Sequence, residues 1–399
     1  MRKVALLFLI LLVVSVFAQN WLIQVKAEPR EWWVPDDYPR IDQVVALANE
    51  GDVIYVRPGN YSDERIITDK QRLTLISTEP FGAVLSNVKI EGWAMKVVGF
   101  VFRGVEAMFH SHSYVGNCKF FGGKGGWKVT FGGDNVTVKN SRFIDLEFVD
   151  FYCRNSSFIS NYVEGWKMNF GSGGYPIYLS DYRKGENLLV ENNTFIVEDF
   201  CSGEGSGNRY VGNNITCLFH DFVYGNGIEG KKSLYINNYF NILLIRAGRA
   251  IENVFINNTI DRFKQETWGL ASNVFLNNTI KYIGKGSCDD LFIGNSIGTL
   301  HIYRSKGEDV FLLNVIGSAQ HDGGGVFYYE DPELEIRFGN RWIGWNETDE
   351  DGDGIVDKAF VVIGERPTPD RYPLANPPTL EQLSLAADIF NLPIWRLSE

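Results

Sequence analysis

The sequence is poor in residues that hold soft metals. It has five His, four Met and five Cys in 399 residues. The cysteines (Cys118, Cys153, Cys201, Cys217, Cys288) never fall at the close spacing of a zinc knuckle, which argues against a zinc site built from them. Positive charge is also short, with 38 Lys and Arg against 49 Asp and Glu and a net charge of -11. That balance argues against nucleic acid or any polyanion held by basic side chains alone; an acidic polymer would need a bridging cation. Past residue 17 no apolar run is long enough to span a bilayer. Helical spacing is missing from most of the chain, so a helical bundle or coiled coil does not fit, and 45% hydrophobic residues with 28 Phe exclude disorder.

The apolar run that does occur follows Met1-Arg2-Lys3, extends from Val4 to Phe17 and ends at Val16-Phe17-Ala18 before Gln19. Charged, hydrophobic and small-residue regions in this order predict a signal peptide over residues 1–18 and a secreted or cell-surface protein. Eight Asn-x-Ser/Thr sequons (Asn60, Asn135, Asn155, Asn192, Asn214, Asn257, Asn277, Asn346) suit a secreted glycoprotein, although turn chemistry also accounts for Asn192, Asn257 and Asn277. Five cysteines in an oxidising compartment leave at least one unpaired or paired between chains. Cys201 and Cys217 flank a Gly/Ser-rich stretch, and a disulfide between them is the expected bridge.

What the chain has in abundance is one hexad. Phe255-Ile256-Asn257-Asn258-Thr259-Ile260 recurs as Phe275-Leu276-Asn277-Asn278-Thr279-Ile280. Looser copies place an Asn at 193, 214, 238, 258, 278, 295, 314 and 340, with Asn117, Asn140 and Asn161 as earlier members. Apolar β-branched and aromatic residues surround each copy at a period of roughly twenty residues, the pattern of a solenoid of short strands. The expected fold is a right-handed single-stranded parallel β-helix of about 13 rungs, roughly 22 residues each, over residues 52–342. Rungs stack about 4.8 Å apart, so equivalent Asn residues fall in one column and can link their amides. Asn also tolerates the left-handed backbone of a tight corner.

Terminal rungs need covers. Residues 19–51 read as an N-terminal cap, with Ile41, Val44, Val45, Leu47 and Ala48 at helical spacing before Gly51. Residues 343–399 read as a C-terminal cap. There Asp349, Asp351, Asp353 and Asp357, with Gly354, form an Asp-x-Asp-x-Asp-Gly-x-x-Asp loop whose hard oxygens predict structural Ca²⁺. Phe360 stands where a complete EF-hand loop has Glu. Thr379 and Gln382 then have capping-box spacing for a short closing helix.

Two stretches carry a resemblance. One is Val34-Pro35-Asp36-Asp37-Tyr38-Pro39-Arg40-Ile41 with Gly51-Asp52-Val53-Ile54-Tyr55-Val56-Arg57-Pro58-Gly59-Asn60-Tyr61; the other is Asp351-Gly352-Asp353-Gly354-Ile355-Val356-Asp357 followed by Asp370-Arg371-Tyr372-Pro373-Leu374. Both resemble the NosD-like right-handed β-helix proteins of the pectate-lyase-like superfamily, in the archaeal surface or secreted form. The resemblance covers nearly all of the mature chain and implies fold more than activity, because that superfamily holds lyases, glycosidases, epimerases, adhesins and inert scaffolds. Its copper-binding namesake directs attention to Met108, His110 and His112, which alternate and would share one face of a strand.

Two enzymatic readings have candidate residues. Arg246, Glu266 and Asp322 each stand eight residues after their Asn, as one column of a lyase would, with Asp289, Asp290 and Arg304 nearby. A glycosidase needs two carboxylates at a set separation, for which Asp289, Asp290 and Asp322 serve. An enzyme predicts acidic and basic groups converging in one groove, whereas a scaffold predicts scattered polar residues. With no convergence visible in sequence, the expectation is a non-catalytic scaffold that binds a polysaccharide or surface glycan. A polysaccharide lyase or glycosidase is the alternative, and copper handling the third.

Overall fold

The computed structural model describes residues 28–123, 127–170, 185–202, 205–217, 231–246, 251–266, 271–286, 288–303 and 307–392. The expected signal peptide, the Gly/Tyr-rich stretch 171–175 and Arg304 lie outside these residues. The chain winds into a right-handed parallel β-helix of about 12 turns. One sheet of 15 strands is built mostly from three-residue strands such as Val254–Ile256 and Val274–Leu276. A second sheet of 16 strands holds the longer ones, including Thr259–Glu266, Thr279–Gly286 and Ser296–Tyr303. Every strand-to-strand pairing within these two sheets is parallel and joins one rung to the next, as in Phe255 opposite Phe275 and Phe275 opposite Phe292.

The interior is set by that register. Tyr210, Tyr235, Phe255, Phe275, Phe292 and Phe311 stack face to face with centroids 4.5–4.8 Å apart, so each ring keeps an aromatic neighbour above and below. Such pairs add roughly 0.5–1.5 kcal/mol each beyond the burial of their area.

The hexad is the corner between the two sheets. Its first Asn takes the left-handed conformation (Asn257 φ 53°, Asn277 φ 51°), and its second turns inward and is buried. Asn258 shows the bonding: its peptide N–H and its Nδ2 both donate to Asn278 Oδ1 (2.8 and 2.9 Å), and Nδ2 also donates to the Tyr235 carbonyl (2.9 Å). The column runs through Asn161, Asn193, Asn213, Asn238, Asn258, Asn278, Asn295, Asn314 and Asn340. Two expectations are corrected here. Asn213, not Asn214, is the column member, because Gly212 (φ 62°) takes the left-handed place and Asn214 begins the next strand. Asn117 and Asn140 are left-handed corner residues, and Cys118 and Ser141 occupy the buried place beside them.

The expected Cys201–Cys217 disulfide is also overturned. Cys217 lies opposite Val197 in register, so Cys201 stands four positions further along the same strand, on the order of 10 Å away, whereas a disulfide requires Cα atoms within about 7 Å. Cys118, Cys153 and Cys288 are buried free thiols.

The N-terminal helix Ile41–Leu47 buries Ile41, Val44 and Val45 over the first turns, as the spacing predicts. At the other end Trp342 stacks on Phe360 at 4.1 Å and the hairpin Phe360–Val362 with Thr368–Asp370 closes the coil. The helix Leu380–Ile389 has the predicted capping box from Thr379 to Gln382. It covers the flank instead of the open end: Ala386 and Leu383 pack with Ile256, Leu276, Ile293 and Leu312 on the outer side of the short strands.

Candidate functional site

The counted column is real at the level of backbone. Arg246 is paired with Glu266 in adjacent long strands, and Gly286 with Tyr303. Ile302 is paired with His321, which puts Asp322 next in the same line as Tyr303. Asp289 and Asp290 do not join them. Asp289 is exposed at a left-handed corner (φ 61°), with Oδ1 accepting the Glu308 peptide N–H. Asp290 is fully buried and ion-paired to Lys285 at 2.8 Å, so it cannot face a substrate as the glycosidase reading required.

What the coil gathers on the outer face of the long strands is a set that counting missed. Gly284 and His301 are paired across neighbouring strands. The ring of Tyr282 lies over Gly284; a Cβ there would stand 2.7 Å from the Tyr282 ring and hydroxyl, so only glycine leaves that seat open. Tyr282 hydrogen-bonds to Tyr303, and that bond, with partial burial behind it, raises the Tyr303 hydroxyl above the ordinary phenol range. The His301 ring sits 4.3 Å from the Tyr303 ring, and its Nε2 is buried 3.6 Å from Asp322 Oδ2, close for an ion pair but too long for a hydrogen bond. Arg262 and Lys264 come from the preceding strand: Arg262 is paired with Tyr282 and Lys264 with Gly284. Two hydroxyls, an imidazole, a carboxylate and two cations thus share one outward face within three rungs. His321, directly before Asp322, points inward instead. Its Nε2 meets Thr368 Oγ1 at 2.7 Å, its Nδ1 accepts the Gly323 N–H, and burial lowers its pKa.

The copper candidates are separated by a corner. Met108 is exposed on the long sheet, whereas His110 stacks on Trp93 at 4.4 Å with Nε2 3.5 Å from Glu91. His112 occupies a left-handed corner (φ 65°) beside Asn135. Among the described residues neither histidine belongs to a cluster of three His, Cys, Asp or Glu ligands; Asp349, Asp351 and Asp353 form one, with an oxygen from each within 4.8 Å of the others. In that loop Asp349 Oδ1 and Oδ2 accept from the Gly352 and Gly354 N–H groups, and both glycines are left-handed (φ 74° and 90°). Asp357, the fourth candidate ligand, turns Oδ2 to the Glu350 N–H at 2.7 Å.

No protein-family profile matches the sequence, and no curated protein matches it. Solved structures do share its architecture. The catalytic domain of a GH87 α-1,3-glucanase is 11% identical, with a TM-score of 0.46 over 75% of this chain and 68% of that one. The PL6 family alginate lyase AlyGC is 14% identical, with a TM-score of 0.43 over 88% of this chain and 58% of that one. A further PL6 alginate lyase, seen in complex with a trisaccharide, is 11% identical with a TM-score of 0.41 over 87% and 92%. The likeness is one of fold alone. No helix among the described residues is long and apolar enough to cross a membrane.

Proposed function

We propose that the chain is an extracytoplasmic polysaccharide lyase that cleaves a uronate-containing polymer by β-elimination on the outer face of the long strands. The observation that carries this reading is the convergence of Tyr282, His301, Tyr303 and Asp322 beside Arg262 and Lys264. A scaffold would have scattered its polar groups. The two cations offset the substrate carboxylate, so that the proton at the adjacent carbon can leave. Asp322 holds Nε2 of His301, which leaves Nδ1 as the ring nitrogen that takes that proton. Tyr303 keeps its own proton at neutral pH and gives it to the glycosidic oxygen as the carbon–oxygen bond breaks. The products are a new reducing or non-reducing chain end and an unsaturated sugar. Export rests on the signal-peptide pattern of residues 1–18.

The test is incubation of the mature protein with a panel of uronate-containing and neutral polysaccharides, followed by ultraviolet absorbance of unsaturated ends and by retention on each polymer. Unsaturated product from a uronate polymer is expected. Retention without product from any of them returns the chain to a non-catalytic glycan-binding scaffold.

We further propose that Asp349, Asp351 and Asp353 hold a structural Ca²⁺ in the C-terminal cap, with Asp357 folded against the loop behind them. A cation that binds only the folded loop stabilises it by mass action. Chelation should lower the Tm of the intact protein, and Asp351→Ala should lower it equally and abolish the response to chelator. A Tm indifferent to both removes the calcium from this reading.

A further inference from the structure

Besides the Asn column, a second buried polar line runs along the other end of the short strands: Ser233, Asn253, Asn273, Asp290, Asp309. Its last two members are carboxylates, and Lys285 reaches both from the long sheet. Lys285 Nζ lies 2.8 Å from Asp290 Oδ2 and 2.7 Å from Asp309 Oδ1, and all three side chains are fully buried. Two carboxylates and one ammonium in a dry interior leave one negative charge in excess, and the cheapest relief is for one carboxyl to keep its proton.

The hydrogen bonds say which one. Asp290 is fully engaged: Oδ1 accepts from Asn273 N and Nδ2, and Oδ2 accepts from Lys285. Asp309 is lopsided. Its Oδ1 accepts from Lys285 Nζ and from the peptide N–H groups of Cys288 (3.1 Å) and Asp290 (3.0 Å), while its Oδ2 is buried with no partner among the described residues. Burial also pushes the Asp309 carboxyl up to about 6. Asp309 is therefore the neutral acid, with its carbonyl oxygen in a cradle of two N–H donors and its hydroxyl unbound. An amine against a neutral, polarised carboxyl, with a carboxylate base at hand and bulk water excluded, is the reactant state of an amide condensation.

We propose that Lys285 and Asp309 condense into an intramolecular amide cross-link, with Asp290 as the base and the peptide N–H groups of Cys288 and Asp290 holding the oxyanion. The ammonium of Lys285 first passes a proton to Asp290. The free amine attacks Cγ of Asp309, forming the nitrogen–carbon bond and placing negative charge on Oδ1 in its cradle. The nitrogen then yields a second proton to the Oδ2 hydroxyl, the carbon–Oδ2 bond breaks and one water leaves. Amide, water and a protonated Asp290 account for every atom, and no oxidant or cofactor enters. The register neighbour of Lys285, Gln265, has a buried amide with neither atom hydrogen-bonded among the described residues, a polar seat for the departing water. The product ties consecutive rungs together by a bond that reduction cannot open.

The test is intact mass of the purified, denatured protein made in a host that does not N-glycosylate, with tandem spectra of its proteolytic peptides. The expected result is a mass short of the sequence by one water and a branched peptide joining Lys285 to Asp309. The full sequence mass would overturn the cross-link outright, and denaturing readout makes this independent of folding. Asp290→Asn keeps the acceptor for Asn273, as the other Asn members of the line do, but removes the base; the water should be retained. Water loss persisting in Asp290→Asn would overturn the role of Asp290, and water loss persisting in Lys285→Arg would overturn that of Lys285.

Discussion

His301→Gln lowers kcat on the uronate polymer cleaved by the native protein by about 10²–10⁴-fold, the range a positioned acid or base contributes. KM changes little, because the imidazole is assigned to proton transfer and the cations Arg262 and Lys264 to binding. The side chain is half-exposed on the outer face and buries no ring of the aromatic stack, so the variant should fold with native Tm. Tyr303→Phe should cost a similar factor for a different reason: it deletes the proton donor while leaving the ring contact with His301 in place. Asp322→Asn separates positioning from chemistry, because the amide still fills the space beside Nε2 but no longer stabilises the charged ring; the pH dependence of kcat should shift while the substrate profile stays the same. Native turnover by His301→Gln would remove the imidazole from the mechanism and leave the face as a binding surface.

The shape of this molecule was legible because the corner imposes two demands at once. One residue must accept a left-handed backbone, and the next must bury an amide that can both donate and accept; Asn-Asn meets both, as at Asn257 and Asn258. The reading slipped where one demand was met by another residue. Gly212 supplied the left-handed place, so counting on the second of two Asn selected Asn214 over Asn213. At Cys118 and Ser141 a small side chain fills the buried place, and Asn117 and Asn140 were counted one column out. The site was legible only along one line. Stepping eight residues from each column Asn reaches Arg246, Glu266, Gly286, Tyr303 and Asp322, yet the count named the charged members and passed over Tyr303. Tyr282 and His301 stand four and six residues on. The inside–outside alternation breaks between Lys281 and Tyr282, both of which avoid the interior, so a period of two carried from the strand start points these side chains the wrong way. The disulfide failed for a related reason: flanking a loop in sequence says nothing about position along a strand, and the register puts Val197 opposite Cys217.

Asp370→Ala should be the most damaging single change in the cap. A ladder in which every Asn accepts from the rung before must end on an acceptor that needs no further donor, and Asp370 is that end. Its Oδ2 accepts from Asn340 N (2.8 Å), Asn340 Nδ2 (3.3 Å) and Trp342 Nε1 (2.9 Å), and its Oδ1 from Tyr372 N (3.2 Å). Removing the carboxyl strands buried donors at a cost of about 1–3 kcal/mol each where no water replaces it, and a loss of about 3–5 kcal/mol in all is expected. In Tm this is a fall of about 5–10 °C for a chain of this size. Asp370→Asn is the sharper experiment. Burial pushes this carboxyl up to about 7 even against its donors, whereas in the unfolded chain it titrates near 4. Between those values the folded protein holds a proton that the unfolded chain has released, so the stability this group contributes is complete below about pH 4 and drains away as pH rises to about 7. Asn keeps the oxygen that serves Asn340 and Trp342 and cannot ionise. The Tm of Asp370→Asn relative to the native protein should therefore climb as pH goes from 5 to 8; a difference that is flat, or that falls, would mean that the four donors keep the carboxylate charged and that the ladder ends on an anion.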